Sequence, residues 1–134
     1  MELKYQEIEA GFTALHRLIQ QELPVKYNVP LIKLYKALKA HAETINEAKT
    51  SIAKRYGEPM GTGYSVPEKD EHGLPNPNYI PAFTELNELM KMTAELNFDT
   101  VTLPEKINGK NIPISAASMI DLEPFVNITE DVPD

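Results

Sequence analysis

Three histidines are the side chains of this 134-residue chain that could change charge near neutral pH. His41 falls on the apolar face of a predicted helix and could act there as a base or a switch, although a lone histidine in that position more often forms a structural hydrogen bond. None of the three histidines, His16, His41 and His72, belongs to a His-x-x-x-His or Glu-x-x-His pair. These are the helical spacings that bring two metal ligands together. The histidines therefore predict no metal site.

The remaining groups that could carry chemistry are also poorly placed for it. Gly61-Thr62-Gly63 lacks the third glycine and the following lysine of a phosphate-binding loop, so it predicts a turn. No Gly-x-Ser-x-Gly elbow is present, and the chain has no cysteine. Asp70-Glu71 and the pair Glu85 and Glu88 could be proposed as acid and base, but their setting looks solvated and acid–base catalysis needs a cleft. We expect a non-enzymatic protein without catalytic residues, cofactor or metal.

One group of residues could instead form a contact surface. Three lysines of the predicted long helix lie away from its apolar face, and they could face solvent, an anionic ligand or the acidic C-terminal half. Tyrosines further along the chain supply the amphipathic rings that suit interfaces. The candidate interaction surface consists of Lys33, Lys36, Lys39, Tyr56, Tyr64 and His72.

The charge of the chain limits the partners it could have. A net charge of −7 argues against nonspecific nucleic-acid binding, which depends on lysine and arginine neutralising phosphates. Residues 1–57 hold nine Lys/Arg against six Asp/Glu, and residues 58–134 hold four against fourteen, so the acidic half is expected to dock on the basic half or to maintain solubility. With no secretion signal and no stretch of about 20 apolar residues, we expect a cytoplasmic protein that does not enter a membrane.

Helical periodicity organises the first half of the chain. Ile8, Phe12, Leu15 and Ile19 are spaced four, three and four residues apart, which predicts an amphipathic helix over residues 4–22. A second helix is predicted from about Asn28, a capping residue, to Tyr56, although its start could lie earlier. Its apolar face, the apolar row, continues in one register over Leu31, Leu34, Leu38, His41, Ile45, Ala48 and Ile52. The short connection between the two helices predicts an antiparallel hairpin.

The second half predicts smaller elements. Residues 58–78 hold four prolines and three glycines and predict a long surface loop, either functional or disordered. Beyond the loop we expect a third helix over residues 80–94 that caps the hairpin, an extended piece over residues 98–103, and a β-hairpin at the Asn-Gly turn of residues 107–110. A short final helix over residues 116–122 and an acidic, frayed tail over residues 127–134 complete the prediction.

The predicted fold class is α+β, mainly α, with an antiparallel helical hairpin, a third helix, a small C-terminal β-hairpin and a short final helix. Residues 1–126 are expected to form a single domain, because a chain of this length fits one core. Self-association is a further expectation, since three helices and a hairpin could leave part of the apolar row uncovered.

Four segments of the sequence resemble an uncharacterised family of small bacteriophage and prophage proteins. They are LPVKYNVPLIKLYKAL, NEAKTSIAKRYGE, FTELNELM and ASMIDLEPF, in that order along the chain. In the family, a helical hairpin ends in a Lys-Tyr-Gly-Glu-like stop, which reads Lys54-Arg55-Tyr56-Gly57-Glu58 here. A variable loop follows, and a short extended segment leads to a Leu-Glu-Pro-Phe-like end. The resemblance implies a phage or prophage origin and no particular activity.

Two functions from different classes are consistent with these features. The first is a non-enzymatic phage or prophage accessory protein that binds a phage structural protein or a host protein, in virion assembly or in modulating a host process, in the bacterial cytoplasm or in the virion. The alternative is a small-ligand binder that sequesters a nucleotide-like anion, with the three lysines as anion contacts and residues 58–78 as a lid. A thermal-shift screen against nucleotides separates the two.

Overall fold

The computed structural model describes residues 1–129, which form four helices and eight short strands. The helices are α1 (Tyr5–Ile19), α2 (Val25–Tyr56), α3 (Tyr79–Lys91) and α4 (Ala116–Leu122). The strands are β1 (Glu2–Lys4), β2 (Glu58–Met60), β3 (Gly63–Ser65), β4 (Thr93–Glu95), β5 (Val101–Pro104), β6 (Lys106–Ile107), β7 (Lys110–Asn111) and β8 (Val126–Thr129). Helices predominate over small strands, which confirms the predicted class, α+β and mainly α.

The predicted helical hairpin is confirmed, with α1 and α2 packed against each other. The apolar row supplies much of the contact: Leu31, Leu34, Leu38 and Ile45 are buried. The other three members, His41, Ala48 and Ile52, are half-buried. One unbroken helix therefore carries the row from end to end, and burial decreases toward its C-terminal end.

The start of α2 differs from the prediction. The helix begins at Val25 and not near Asn28, because the carbonyl oxygen of Pro24 already accepts hydrogen bonds from the amides of Tyr27 and Asn28 at 2.9 and 3.1 Å. The Asn28 side chain does not cap the helix; its Nδ2 donates to the carbonyl oxygen of Leu23 at 2.9 Å. Pro30 lies inside α2, on its exposed side.

The two helices of the hairpin have very different lengths. The 15 residues of α1 span about 22 Å and the 32 residues of α2 about 48 Å, at about 1.5 Å per residue. The C-terminal part of α2 therefore extends past α1, and α3, β2 and β3 pack against it. Because α3 also contacts α1, the third helix caps the hairpin as predicted, although it spans residues 79–91 where 80–94 was expected.

Strand pairing accounts for two further differences from the predicted boundaries. Residues 92–94 of the predicted third helix lie outside α3, because Thr93 and Ala94 belong to β4, which pairs antiparallel with β1. The sequence does not predict this pairing. Residues 127–129 were predicted as frayed tail, but they belong to β8, which pairs in parallel with β5. Val101, Leu103 and Val126 of this strand pair are buried, and the burial of their apolar side chains stabilises the pairing of β5 with β8. The rest of the predicted tail, residues 130–134, lies outside the described residues.

The segment 58–78 was predicted as a loop without regular structure, and that prediction is wrong for its first part. Strands β2 and β3 form a tight antiparallel hairpin in which Glu58 pairs with Ser65 and Met60 with Gly63. Gly61 turns the chain with a φ of 62°, a conformation that favours glycine. Strands of three residues, one of them containing a proline, are too short to produce an alternating pattern in the sequence.

The predicted C-terminal hairpin and final helix are both present. Asn108 and Gly109 have φ values of 54° and 78° and connect β6 to β7, as expected for an Asn-Gly turn. At the start of α4, Ser115 Oγ accepts a hydrogen bond of 3.1 Å from the amide of Ser118. Ser115 is thus the N-cap that the sequence predicts.

Loss of this cap should have a measurable effect on stability. Ser115→Ala is expected to lower the free energy of unfolding by about 1 kcal/mol, because the Ser118 amide loses its acceptor. Urea denaturation followed by circular dichroism measures the change. Ser51→Ala, on the exposed side of α2, is the matched control with an expected change within about 0.5 kcal/mol. Equal effects in the two variants would contradict the capping role.

Candidate functional site

An apolar groove lies where α2 extends beyond α1. Its volume is about 520 Å³, and its walls are the C-terminal part of α2, the β2–β3 hairpin with the residue that follows it, and α3. The apolar lining is formed by Ile52, Ala53, Val66, Ala82, Phe83 and Leu86. Tyr64, Tyr79, Thr50, Thr62, Gly63 and Lys49 complete it. A concave site with an apolar floor and a few polar groups is the usual form of a binding site.

One side of α3 forms a wall of the groove. Tyr79, Ala82, Phe83 and Leu86 follow one another at intervals of three, one and three residues and so share one side of α3. On the other side of the α2–α3 contact, Arg55 Nη1 donates to both carboxylate oxygens of Glu85 at 2.8 and 3.0 Å. This ion pair joins the two helices outside the groove.

The one ammonium group in the lining already has an acidic partner. Lys49 Nζ donates to both carboxylate oxygens of Glu9, on α1, at 3.0 and 2.9 Å. Both side chains are about one-third exposed, so the pair contributes little net stability, but it neutralises the charge of the lysine. The lining of the groove is therefore apolar or neutral although the whole chain carries −7.

Close backbone packing holds the β2–β3 hairpin on α2. A Cβ atom at Gly57 would overlap the carbonyl oxygen of Ser65 and would also come within 2.6 Å of the carbonyl oxygen of Ala53. Glycine at this position lets β3 lie directly on the end of α2. The distance between the hairpin wall and the helix wall of the groove is set by this contact.

Gly57→Ala is accordingly expected to push the hairpin away from α2 and to lower the free energy of unfolding by about 1 to 3 kcal/mol, as overpacking does. Amide hydrogen exchange should show reduced protection in residues 58–65. Gly63→Ala is the control, because a Cβ there has open space and the backbone is unstrained. Unchanged exchange in Gly57→Ala would contradict the close contact.

Aromatic and aliphatic side chains extend the groove onto the neighbouring surface. The rings of Tyr79 and Phe83 stack with their centres 6.1 Å apart. Phe83 remains 50% exposed and Ile80 72% exposed, and these two residues lie about one turn apart on α3. Phe83 has the helical spacing of a core residue with Leu86 and Leu89, so the sequence predicts that it is buried, and that prediction is wrong.

The six residues of the predicted interaction surface do not lie together. Lys33, Lys36 and Lys39 are exposed on the first half of α2. Tyr56 ends α2, and the distance along the helix from Lys39 to Tyr56 is about 26 Å at 1.5 Å per residue. The lysines and the tyrosines thus belong to two separate surfaces.

Of the other predicted residues, Tyr64 alone lines the groove. Its ring centre lies 5.8 Å from Lys54 Nζ. Tyr56 is half-buried beside Arg55. His72 lies in the exposed segment after β3, and its Nε2 is 3.5 Å from a carboxylate oxygen of Glu71. The groove residues of α3 were missed, although the apolar run Tyr79-Ile80-Pro81-Ala82-Phe83 was a usable signal.

The groups considered for chemistry are dispersed. His41 is half-buried in the apolar row, and the His16 ring packs against Tyr35 with centres 5.8 Å apart. Within residues 1–129 no group of three or more His, Asp or Glu side chains is arranged to hold a metal ion. In the same range no helix is long and apolar enough to cross a membrane.

Comparison with known proteins gave no match: no protein-family model, no curated protein and no solved structure is significantly similar to this chain. The function must therefore be inferred from the surface of the molecule itself.

Proposed function

We propose that this protein is a non-enzymatic binding module, and that the groove between α2, α3 and the β2–β3 hairpin receives a segment of another protein. The observation that carries the proposal is the apolar lining continued outward by Phe83 and Ile80, which are 50% and 72% exposed. Contiguous exposed apolar surface beside a concave site is characteristic of protein interaction sites.

The charges around the groove restrict the chemistry of the partner segment. Lys49 is neutralised by Glu9, and Arg55 and Glu85 neutralise each other outside the groove. A charged side chain that enters the groove would lose water without gaining a free counter-charge among the lining residues. Lys54, whose Nζ lies 5.8 Å from the Tyr64 ring centre, places a positive charge at the edge of the groove only. The partner segment should therefore present large uncharged side chains, aromatic or aliphatic, in the manner of an apolar helix face that enters a groove.

A protein partner explains more of this surface than a small molecule does. A volume of about 520 Å³ lies within the range of small-ligand sites, so a small apolar ligand remains the second candidate. A ligand inside the groove, however, would leave Ile80 uncovered, whereas a protein segment would cover both the groove and its outer edge. The nucleotide-like anion of the alternative hypothesis would need the three lysines of α2, which lie far from the groove.

The sequence resemblance suggests where the partner comes from. A non-enzymatic accessory protein of phage or prophage origin would act on a phage structural protein during assembly or on a protein of the bacterial host. We propose that the partner belongs to one of these two groups, in the host cytoplasm or in the virion. Capture from infected cells and from uninfected cells distinguishes the two sources.

The test is affinity capture with the wild-type protein and two variants as bait. Phe83→Asp places a charge at the edge of the groove, and Met92→Asp places the same charge just beyond the far end of α3, at a side chain of similar exposure. Wild type and Met92→Asp should recover the same protein, and Phe83→Asp should not. Recovery by all three baits would place the interaction elsewhere.

The small-ligand alternative predicts a different pattern. It requires a rise in melting temperature with an apolar compound, and a ligand at 100 times its dissociation constant adds about 2.7 kcal/mol. A shift in the wild type that is absent in Phe83→Asp, together with no groove-dependent capture, would favour the small ligand over the protein partner.

A further inference from the structure

A second surface, separate from the groove, lies on the outer side of α2 near its start. Val25 is 75% exposed, and Val29 and Ile32 are also exposed. These three residues are spaced four and three apart, so they form a continuous apolar stripe on the side of α2 opposite the buried residues Leu31 and Leu34. None of these three aliphatic residues belongs to the buried core of the protein.

The same side of α2 is positively charged. Lys33 and Lys36 are exposed within one turn of Ile32. Lys39 continues the row but lies 4.0 Å from Glu43, so the positive charge of this surface rests mainly on Lys33 and Lys36. We name this surface the basic face; it consists of Val25, Val29, Ile32, Lys33 and Lys36.

A third surface has the complementary character. A shallow recess between the start of α1 and α4 is lined by Ile120, which is 70% exposed, and by Ala10 and Pro124. Acidic side chains surround these apolar residues. We name this surface the acidic face; it consists of Glu7, Ala10, Ile120, Asp121, Glu123 and Pro124.

We propose that the basic face of one copy of this chain binds the acidic face of another. The basic face combines exposed aliphatic side chains with two lysines, and the acidic face combines the exposed side chain of Ile120 with three carboxylates. The aliphatic stripe of the basic face would lie against Ile120 and Pro124, and the lysines would reach the carboxylates around the recess. Charge complementarity of this kind selects one partner face over others.

The position of the two faces determines the kind of assembly. The basic face lies at the start of α2, next to the end of α1, whereas Glu7 and Ala10 lie near the start of α1, which spans about 22 Å. Two different faces in contact form a head-to-tail interface, which leaves one free face at each end of a dimer. Further copies therefore add to the dimer and produce open chains or a closed ring.

The local charges of the two faces favour this pairing over a symmetric one. Two acidic faces brought together would repel, and so would two basic faces. The net charge of −7 opposes every association between copies, and the attraction between opposite faces offsets part of that repulsion. The head-to-tail contact brings opposite charges together. It involves no residue of the groove, so it is independent of the proposed partner site.

Sedimentation of the full chain tests this assembly. The weight-average mass of the wild type should rise at least about 1.5-fold between about 10 µM and about 1 mM, the range in which small interfaces associate. Two double variants remove one face each without creating a new charge: Ile32→Ser with Lys36→Gln, and Ile120→Ser with Asp121→Asn. Each variant alone should remain monomeric, because a head-to-tail contact needs both faces.

The mixture of the two variants gives the decisive result. Each variant keeps the face that the other lacks, so a 1:1 mixture should form dimers and nothing larger, which also demonstrates that both variants are folded. Phe83→Asp should associate like the wild type, so failure of this assembly is distinguishable from failure of the groove. A monomeric wild type at about 1 mM, or a mixture that stays monomeric while the wild type associates, would overturn the proposal.

Discussion

Replacing Phe125 with alanine is expected to lower the free energy of unfolding by about 3 to 5 kcal/mol, the cost of removing a large buried ring. Phe125 has no exposed surface, and it packs against the backbone of Gly11 and, at 5.3 Å between ring centres, against Phe98. The ring thus joins α1 to the chain that follows α4. Urea denaturation at constant pH measures the loss as a lower transition midpoint.

Phe83→Ala is the matched control for this prediction. The same substitution at a half-exposed ring should cost about 1 kcal/mol or less. Gly11→Ala tests the contact from the other side, because its Cβ would overlap the Phe125 ring and force one of the two elements to move. If Phe125→Ala and Phe83→Ala are equally stable, the C-terminal segment does not pack on α1 as described.

Phe83→Ala is expected to change the binding affinity much more than the free energy of unfolding. Aromatic residues at the centre of an interface commonly contribute 2 kcal/mol or more, so the affinity for the captured partner is expected to fall at least about 30-fold. Calorimetric titration of wild type and variant with that partner measures the ratio, and most of the change should lie in the dissociation rate.

Two further variants, one control and one that changes the shape of the groove, accompany the affinity measurement of Phe83→Ala. Met92→Ala removes an apolar side chain of similar exposure from the far end of α3 and should leave the affinity within about twofold. Gly57→Ala, which moves the hairpin wall without touching Phe83, should weaken binding through the shape of the groove. Equal affinities for Phe83→Ala and the wild type would remove Phe83 from the interface.

The helical part of the fold could be predicted from the sequence because long helices repeat their signal. The apolar row fixes one register over 22 residues, and α2 follows it without a break. Local signals also sufficed where one residue determines the structure, as with the Asn108-Gly109 turn and the Ser115 cap. In each case the cause of the structure lies within a few neighbouring residues.

The strand pairs could not be predicted because their causes are distant in the sequence. Strand β1 pairs with a strand about 90 residues away, and β5 pairs with one that begins at Val126 and continues into what resembles an acidic tail. Strands of three or four residues show too little alternation to be recognised singly. Their positions depend on which buried side chains meet, and only the folded chain determines that.

The groove was missed for a related reason. Phe83 has the spacing of a core residue, and its exposure results from α2 extending beyond α1, a consequence of relative helix lengths. The three lysines were correctly placed on an exposed helix side. Val25 precedes the predicted helix start near Asn28 and Val29 adjoins it, so the sequence does not predict that aliphatic side chains share this side with the lysines.

Hydrogen exchange of the protein with and without its captured partner tests the groove most directly. If the groove is the docking site, amides of residues 49–53 and 79–86 should gain protection on binding, and Phe83→Asp should abolish the gain. Amides around α4 should remain unchanged. Protection confined to other parts of the chain, with the groove amides unaffected by a bound partner, would contradict the proposed function.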